Sequence, residues 1–584
     1  MGGQVSNADS TDYGLRIGNC SGYYGDRHSA MAEMLAGGEL DVLTGDYLAE
    51  LTMLILGRDR ARDPRFGYAK TFLRQLEACL GTALDHGVTL VANAGGLNPA
   101  GLAAAIRELA GRLGLGVRVA HVEGDDLLAR AGALGPAGAL GPAGALGPAG
   151  ELGPVAVNAY LGGWGIAECL RAGADVVVTG RVTDASLVLG PAAAHFGWSA
   201  TDWDALAGAV VAGHIIECGT QASGGNYAFF TEIPDLRRPG FPIAEMHRDG
   251  SCVITKHPGT GGAVTEGTVT AQLLYEITGA RYPNPDVTAR FDSIDVRELS
   301  PDRVSVTGAR GEPPPPDLKV GVNRISGYRN EATFYLTGLD IEAKAGLIRD
   351  QLDGFDARWW LVRTDHPDSD VQETASALLR CVVRSPEAAA VGRRFSTAVL
   401  ELGLASYPGL HRTGRPGEPA ACGAFEALYL PAKEVPQVAV LPDGSRKTIP
   451  PTPVNEPLSE VPEPEPPEPP AYRRFRSAPL GTVAGARSGD KGGSANIGVW
   501  ARRAEAWPWL AHALSVDEFR RLLPETSCLP VTRHVLPNLR ALNFVVDGLL
   551  GAGVADNARH DPQAKAVGEW LRSRWLPIPE ELLP

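Results

Sequence analysis

The chain is short of several things, and each shortage removes a class of function. Its eight cysteines are scattered without a single CxxC pair, so the spacings that hold zinc or an iron–sulfur cluster are missing. The amino terminus, MGGQVSNADSTD, has no basic stretch followed by an apolar one. That excludes a secretory signal, and the cysteines are expected as reduced thiols. The same stretch matches the Met-Gly-x-x-x-Ser myristoylation pattern, a short match given no weight. No apolar run approaches the roughly 20 residues needed to span a bilayer. A basic face is lacking too: the formal net charge is −14, which argues against nucleic acid as a partner. GxGxxG and Walker spacings are both absent, so a nicotinamide oxidoreductase is a weak option. Lysine is scarce, only eight of 54 basic residues. Two of the eight, Lys256 and Lys491, sit inside glycine-rich motifs, where a compact ammonium has a use that arginine does not.

What remains is an ordinary globular composition, 44% apolar and 21% charged, in a chain long enough for two to four domains. A cytoplasmic protein that binds neither membrane nor metal is expected. Residues 15–125 alternate short apolar strands with amphipathic helices. Strands are read at 15–19, 40–44, 88–93 and 117–122, and helices at 28–38, 47–56, 68–87 and 97–114. In the last helix Asn98 is the N-cap and Pro99 the first residue. This order predicts an α/β domain, a mainly parallel sheet with flanking helices, over residues 1–448. Within it, residues 131–154 repeat AGALGP, with glycine at every third position from Gly132 to Gly153. The run is too short for collagen and is read as a mobile, dispensable surface loop. After the repeat the pattern resumes, with a buried strand at 174–181 and helix around 201–217. Residues 449–471 form a Pro/Glu linker that cannot build a core. Residues 472–584 then read as a small α+β domain of ferredoxin-like type.

Several segments carry candidate chemistry, most of them just after a predicted strand, where open α/β sheets bind ligands. In NCSGYYGDR (19–27), Gly22 permits a tight turn that projects Asp26 and Arg27 toward a pocket; the alternative is a structural ion pair. In TGDYLAEL (44–51), Asp46 is read as an N-cap with Glu50 one turn later, a carboxylate pair suited to acid–base work or to holding a cation, with simple capping as the alternative. NAGGLNP (93–99) offers Asn93, Gly95, Gly96 and Asn98 as an anion site at a helix N-terminus. In TGRVTDAS (179–186), Arg181 is a carboxylate or phosphate clamp, unless Asp184 neutralises it. HIIECGTQ (214–221) sets His214 beside Glu217 and Cys218, a base with its orienter or a Cys–His pair, although a helical histidine is often structural. ITKHPGTGG (254–262) places Lys256 and His257 before a loop of Gly259, Thr260, Gly261 and Gly262 that could cradle an anion.

The last such segment is ARSGDKGGSANIG (486–498). It is read as the first strand–turn–strand connection of the C-terminal domain, with Arg487, Ser488, Asp490 and Lys491 on an exposed, backbone-rich loop. That loop is expected to reach the large domain's ligand cavity or a subunit interface; a plain tight turn is the alternative.

GNCSGYYGDR, DVLTGDYLAELTM, NAGGLNP, KHPGTGG with QLLYEI, and RSGDKGGSANIGV together resemble the acyclic terpene utilisation AtuA family, in this order along most of the chain. The resemblance implies a large domain and a ferredoxin-fold-like C-terminal domain. It also implies a setting in bacterial breakdown of acyclic terpenes, beside biotin-dependent acyl-CoA carboxylases. It carries over no catalytic residue. The reading that follows is a homo-oligomeric enzyme acting on a branched acyl-CoA or related carboxylate by hydration or lyase chemistry, with a CoA thioester as substrate. The alternative is a non-catalytic partner of an acyl-CoA carboxylase, docking through its tethered C-terminal domain.

Overall fold

The computed structural model describes residues 14–133, 153–459 and 462–584. Most of the AGALGP repeat and the myristoylation pattern lie outside the described residues. Among the described residues no helix is long and apolar enough to cross a membrane.

The centre of the large domain is five parallel strands. In spatial order they are Leu15–Asn19, Val42–Gly45, Thr89–Ala92, Val176–Thr179 and Val119–Glu123. They are short, almost wholly buried, and rich in Val, Leu and Ala, as strands covered by helices on both faces must be. The expectation of a mainly parallel sheet holds only for this centre. Pro242–Met246, Cys252–Lys256, Arg303–Thr307 and Asp295–Ser300 extend one side, and Gln437–Val440 and Arg446–Ile449 the other. All six pair antiparallel. Their connections are mostly short hairpins with no room for the crossover helix that parallel pairing needs.

Local signals placed several helices correctly. The Asn98 side chain accepts from the Gly101 N–H at 2.9 Å, Pro99 opens the helix Pro99–Leu113, and Gly114 closes it at φ +70°. A second sheet is built on one 21-residue strand, Asp317–Thr337. It pairs along its length with Pro154–Ala159, Ser376–Ser385 and Ala420–Pro431.

The C-terminal sheet is antiparallel, in the order Ala484–Lys491, Ser494–Ala501, Ala541–Val546, Val531–Leu536. Period-two alternation gives it two different faces. Ala486, Ile497, Val499, Leu542 and Phe544 point into the domain's own core, with helices Trp507–Ala513, Val516–Leu522 and Val567–Arg572 nearby. The opposite face carries Arg487, Gly489, Asn496, Gly498, Trp500 and Asn543. It lies on the large domain, where Trp500 and Ala541 join the large domain's core. Gly498 and Gly489 permit this approach: a Cβ would stand 2.5 Å from Leu274 at the first and 2.4 Å from the Tyr275 ring at the second.

The proline-rich segment before this domain is anchored rather than hanging free. Glu456 N–H donates to the Pro314 carbonyl, Arg281 donates to the Ser459 carbonyl, and Glu463 lies 3.8 Å from Arg533. The image of a tethered docking arm is corrected accordingly.

Trp500 tests this docking. It is 4% exposed and stacked near Tyr227, with ring centroids 6.1 Å apart. Trp500→Ala is expected to cost about 3–5 kcal/mol and to lower the thermal midpoint. An unchanged melting curve would contradict it.

Candidate functional site

The loops at the carboxyl ends of the parallel strands meet around the 44–50 segment. Asp46 is not an N-cap: the helix begins at Glu50 and is preceded by Ala49, with no side-chain cap. The chain instead runs extended past Asp46, whose carboxyl accepts from Leu48 N–H at 3.1 Å and from the Asn93 amide at 2.6 Å. Asn93 returns its own oxygen to Tyr47 N–H at 2.7 Å. Asn93 is therefore a buried brace for Asp46. The rest of NAGGLNP is a turn and cap, not an open anion site. Gly96 N–H bonds to Asn93, Asn98 N–H to Gly95, and Leu97 N–H to Gly67.

His214 and Glu217 come from the end of helix Trp203–Ile216. Every side chain of that helix from Leu206 onward is buried, so His214 is deep in the protein, against the rings of Tyr282 and Phe291. Its Nδ1 stands 3.2 Å from Glu217 Oε1 but is not aligned for a hydrogen bond. Asn19, at the end of the first strand, donates to the carbonyls of Ile216 and Glu217 at 2.6 and 3.0 Å and fixes this helix end. Cys218 is no thiolate nucleophile. Burial and then Glu217 push its thiol well above the ordinary range.

The motif ARSGDKGGSANIG is a β-hairpin, with Lys491 opposite Ser494. It is not an exposed loop, since Arg487 and Ser488 are buried. Its tip brings Asp490 and Lys491 into the same region as Glu50, His214 and Glu217, whose charges interact with theirs. Lys491 lies 5.7 Å from the Tyr282 ring centroid. Among the described residues no carboxylate stands within ion-pairing distance of it. Arg487 bonds to the Gln221 amide and to the Asn226 carbonyl, and stacks 4.4 Å from the Tyr275 ring centre. Ser488 donates to the Ala564 carbonyl at 2.6 Å. Arg487 and Ser488 thus hold the hairpin in place.

The sequence reading missed several members of this cluster: Glu276, Tyr275, Tyr282, Lys319 and Lys565. Lys565 sits 3.7 Å from Asp490 and 3.8 Å from Glu276, with a close contact to the Tyr275 hydroxyl. Lys319 sits 4.0 Å from Glu50 and over the Tyr160 ring. Tyr275 and Glu276 stand within QLLYEI, a motif read without a role for either side chain, while Tyr282, Lys319 and Lys565 lie in segments without glycine-rich loops, where nothing local marks them.

Burial dominates the electrostatics. It raises Asp46 and Glu217 well above the usual carboxylate range, with Asp184 adding repulsion to both. Glu50 is raised by burial against the pull of Lys319. Asp490 is pushed up to about 7 by burial and then by Glu276, with Lys565 opposing. His214 is lowered to about 4 by burial and then by Lys491, so its imidazole is neutral near pH 7. Among the described residues, one carboxyl oxygen each of Glu50 and Glu217 and the Gln272 amide nitrogen are buried without a hydrogen-bond partner. Burial here favours the protonated form of the carboxyls, as it does in sites of acid–base chemistry. Among the described residues no three of His, Cys, Asp and Glu are grouped to hold a metal ion.

Other predicted residues are spent elsewhere. Arg181 is buried and donates to Asp184 at 2.8 Å and to the Leu48 carbonyl, so the neutralising reading is the one observed. Lys256 pairs with Asp302 at 3.0 Å and donates to the Thr260 carbonyl. His257 Nε2 meets the Met34 carbonyl at 3.0 Å. Gly261 and Gly262 pack against the Arg238 and Ser223 carbonyls, and Gly259 takes a left-handed turn at φ +76°. None of these contacts reaches the cluster. Asp26 closes a local turn onto the Gly22 and Arg27 N–H groups. Arg27 itself pairs with Glu33 at 2.7 Å and lies over Phe241.

An α/β domain with a buried carboxyl-rich site, completed by a hairpin from a small α+β domain, is the class this geometry defines. The chain belongs to the acyclic terpene utilisation family AtuA, whose family model matches residues 15–441. A second family model, the AtuA ferredoxin-like domain, matches residues 478–577. No curated protein matches the chain.

Asp125, in the loop beside this region, gives a substrate-free test of the electrostatics. It accepts from the Asn158 amide and from Arg181 N–H, and burial raises it to about 7. A carboxyl raised from 3.8 to about 7 on folding favours the native state at low pH, and that advantage is lost as pH rises through this window. Asp125→Asn has no such loss. Between pH 5 and pH 8 it should gain about 2–3 kcal/mol relative to wild type in denaturant unfolding. Parallel pH profiles would contradict this.

Proposed function

We propose that the protein is an enzyme of acyclic terpene utilisation that acts on a branched acyl-CoA or related carboxylate by hydration or lyase chemistry, at the junction between its two domains. The observation that carries this reading is Lys491, a cation without an ion-pair partner among the described residues, set beside carboxyls that burial keeps protonated. Lys491 would receive the carboxylate or thioester oxygen of the substrate, and the low local dielectric strengthens that contact.

Glu217 and Asp490 supply the two proton positions such a reaction needs. In hydration of an α,β-unsaturated acyl group, one deprotonated carboxylate takes a proton from water as oxygen bonds to the β-carbon. The other, still protonated, delivers a proton to the α-carbon, and the reverse sequence eliminates water. Asp490, raised to about 7, suits the first role because it is part-ionised at neutral pH. Glu217, more deeply buried, suits the second. His214 stays neutral and packs beside Glu217. Asn93 holds Asp46, and Arg181, paired with Asp184, holds the Leu48 backbone beside it. The enzymatic reading is favoured over a carboxylase-docking arm because the hairpin face of the C-terminal domain is used up within this chain.

Lys491→Met and Glu217→Gln are each expected to lower kcat for hydration of branched 2-enoyl-CoA thioesters by about 10²–10⁴-fold, with unchanged circular dichroism. Neither turnover nor binding by wild type across branched acyl-CoAs, the free acids and CoA would sink the proposal.

A further inference from the structure

Glu276 stands out because its backbone and its side chain make opposite demands. It follows helix Glu266–Leu273 and adopts φ +57°, the left-handed region. Glycine enters that region freely and asparagine often; for glutamate it carries strain. A turn that needed only this shape would be served better by glycine.

The strained turn is clamped from the other domain. Glu276 N–H donates to the Asn496 side-chain oxygen at 2.7 Å. The Asn496 amide donates to the Asn543 side-chain oxygen, and the Asn543 amide donates to the Ile277 carbonyl at 3.1 Å. Both asparagines are wholly buried, on neighbouring strands of the C-terminal sheet. Two buried amides in the middle of a sheet are costly unless every polar atom is satisfied, and here they are spent on this turn. The clamp does not choose the side chain. It holds a backbone that would accept glycine more readily.

What the side chain does is join the cluster. Its carboxylate lies 3.8 Å from Lys565, whose ammonium is also 3.7 Å from Asp490. Its charge acts on Asp490, Glu217, His214 and Tyr275. We infer that Glu276 is a further positioning residue of the junction site, a carboxylate held in a strained conformation by the Asn496–Asn543 clamp so that Lys565 is shared between it and Asp490. Sharing leaves Asp490 with less than a whole counter-charge, which keeps a proton on it at higher pH. The other charges facing Asp490 are Lys565 and Glu50, with Lys491 next in the chain and the Tyr275 hydroxyl on Lys565. The inference deepens the acid–base reading above and rests on it only for the purpose of the site.

Two substitutions test it without any substrate. Glu276→Gly removes the strain and keeps the clamp. It should raise the thermal midpoint by about 1–3 °C, since the left-handed strain is relieved and the chain is large. A fall, or no change, would mean the glutamate is held for stability and would overturn the inference. Glu276→Gln keeps the shape and removes the charge, leaving Lys565 wholly to Asp490. The loss of stability between pH 5 and pH 8 should then be smaller than in wild type, in the same direction as in Asp490→Asn. An unchanged slope in Glu276→Gln, or in Asp490→Asn, would equally overturn it. Both readouts are independent of turnover. A failed acyl-CoA assay therefore counts against the proposed reaction alone, and a failed stability assay against Glu276 alone.

Discussion

Everything in the site depends on how closely the C-terminal sheet can approach the turn that follows helix Glu266–Leu273. Main chain meets main chain there. Gly489 and Gly498 have no side chain to intervene, and Asn496 and Asn543 supply the hydrogen bonds that the buried turn requires. With larger residues at the two glycines the sheet would stand off, the hairpin tip would withdraw, and Asp490 and Lys491 would leave the cluster. The apolar contacts around Trp500 and Ala541 provide the driving force. The glycines and asparagines determine the distance.

That approach creates an electrostatic problem that the site turns to use. Asp46, Glu50, Glu217 and Asp490 are brought into low dielectric with too few cations to neutralise them all. Lys319 serves Glu50, Lys565 is divided between Glu276 and Asp490, and Arg181 is committed to Asp184. Burial favours the protonated form of each of these carboxyls and leads the causes of each upward shift. Carboxyls whose protonated form is favoured, next to an ammonium with no ion-pair partner among the described residues, are the material of acid–base chemistry.

The local structure was largely legible. Hydrophobic periodicity and end signals located the parallel strands and most of the helices between them, because those signals act within a few residues. The Asn98–Pro99 start and Gly114 stop of one helix are instances. Legibility failed where a distant partner chose the outcome. Asp46 reads as a cap from its neighbours, yet Asn93, 47 residues away, claims its carboxyl. Lys256 reads as a ligand group within a glycine-rich loop, yet Asp302 neutralises it. The antiparallel flanks of the sheet were also invisible, since pairing direction follows from connections and not from strand composition.

The sequence by itself determined much of the local secondary structure and the glycine-rich segments that turn sharply at strand ends. These follow from backbone sterics and the spacing of apolar residues, which act over short distances along the chain. Only the tertiary structure decided which charged residues share a site. It left Lys256 and His257 in structural contacts and brought Lys565 and Glu276 to Asp490. It also showed the ARSGDKGG strand–turn–strand connection to be a hairpin whose Arg487 and Ser488 are buried and whose tip stands near Glu50 of the large domain. The reason is physical: charge interactions and burial depend on proximity in space, and that proximity exists only once the small sheet has settled on the large domain.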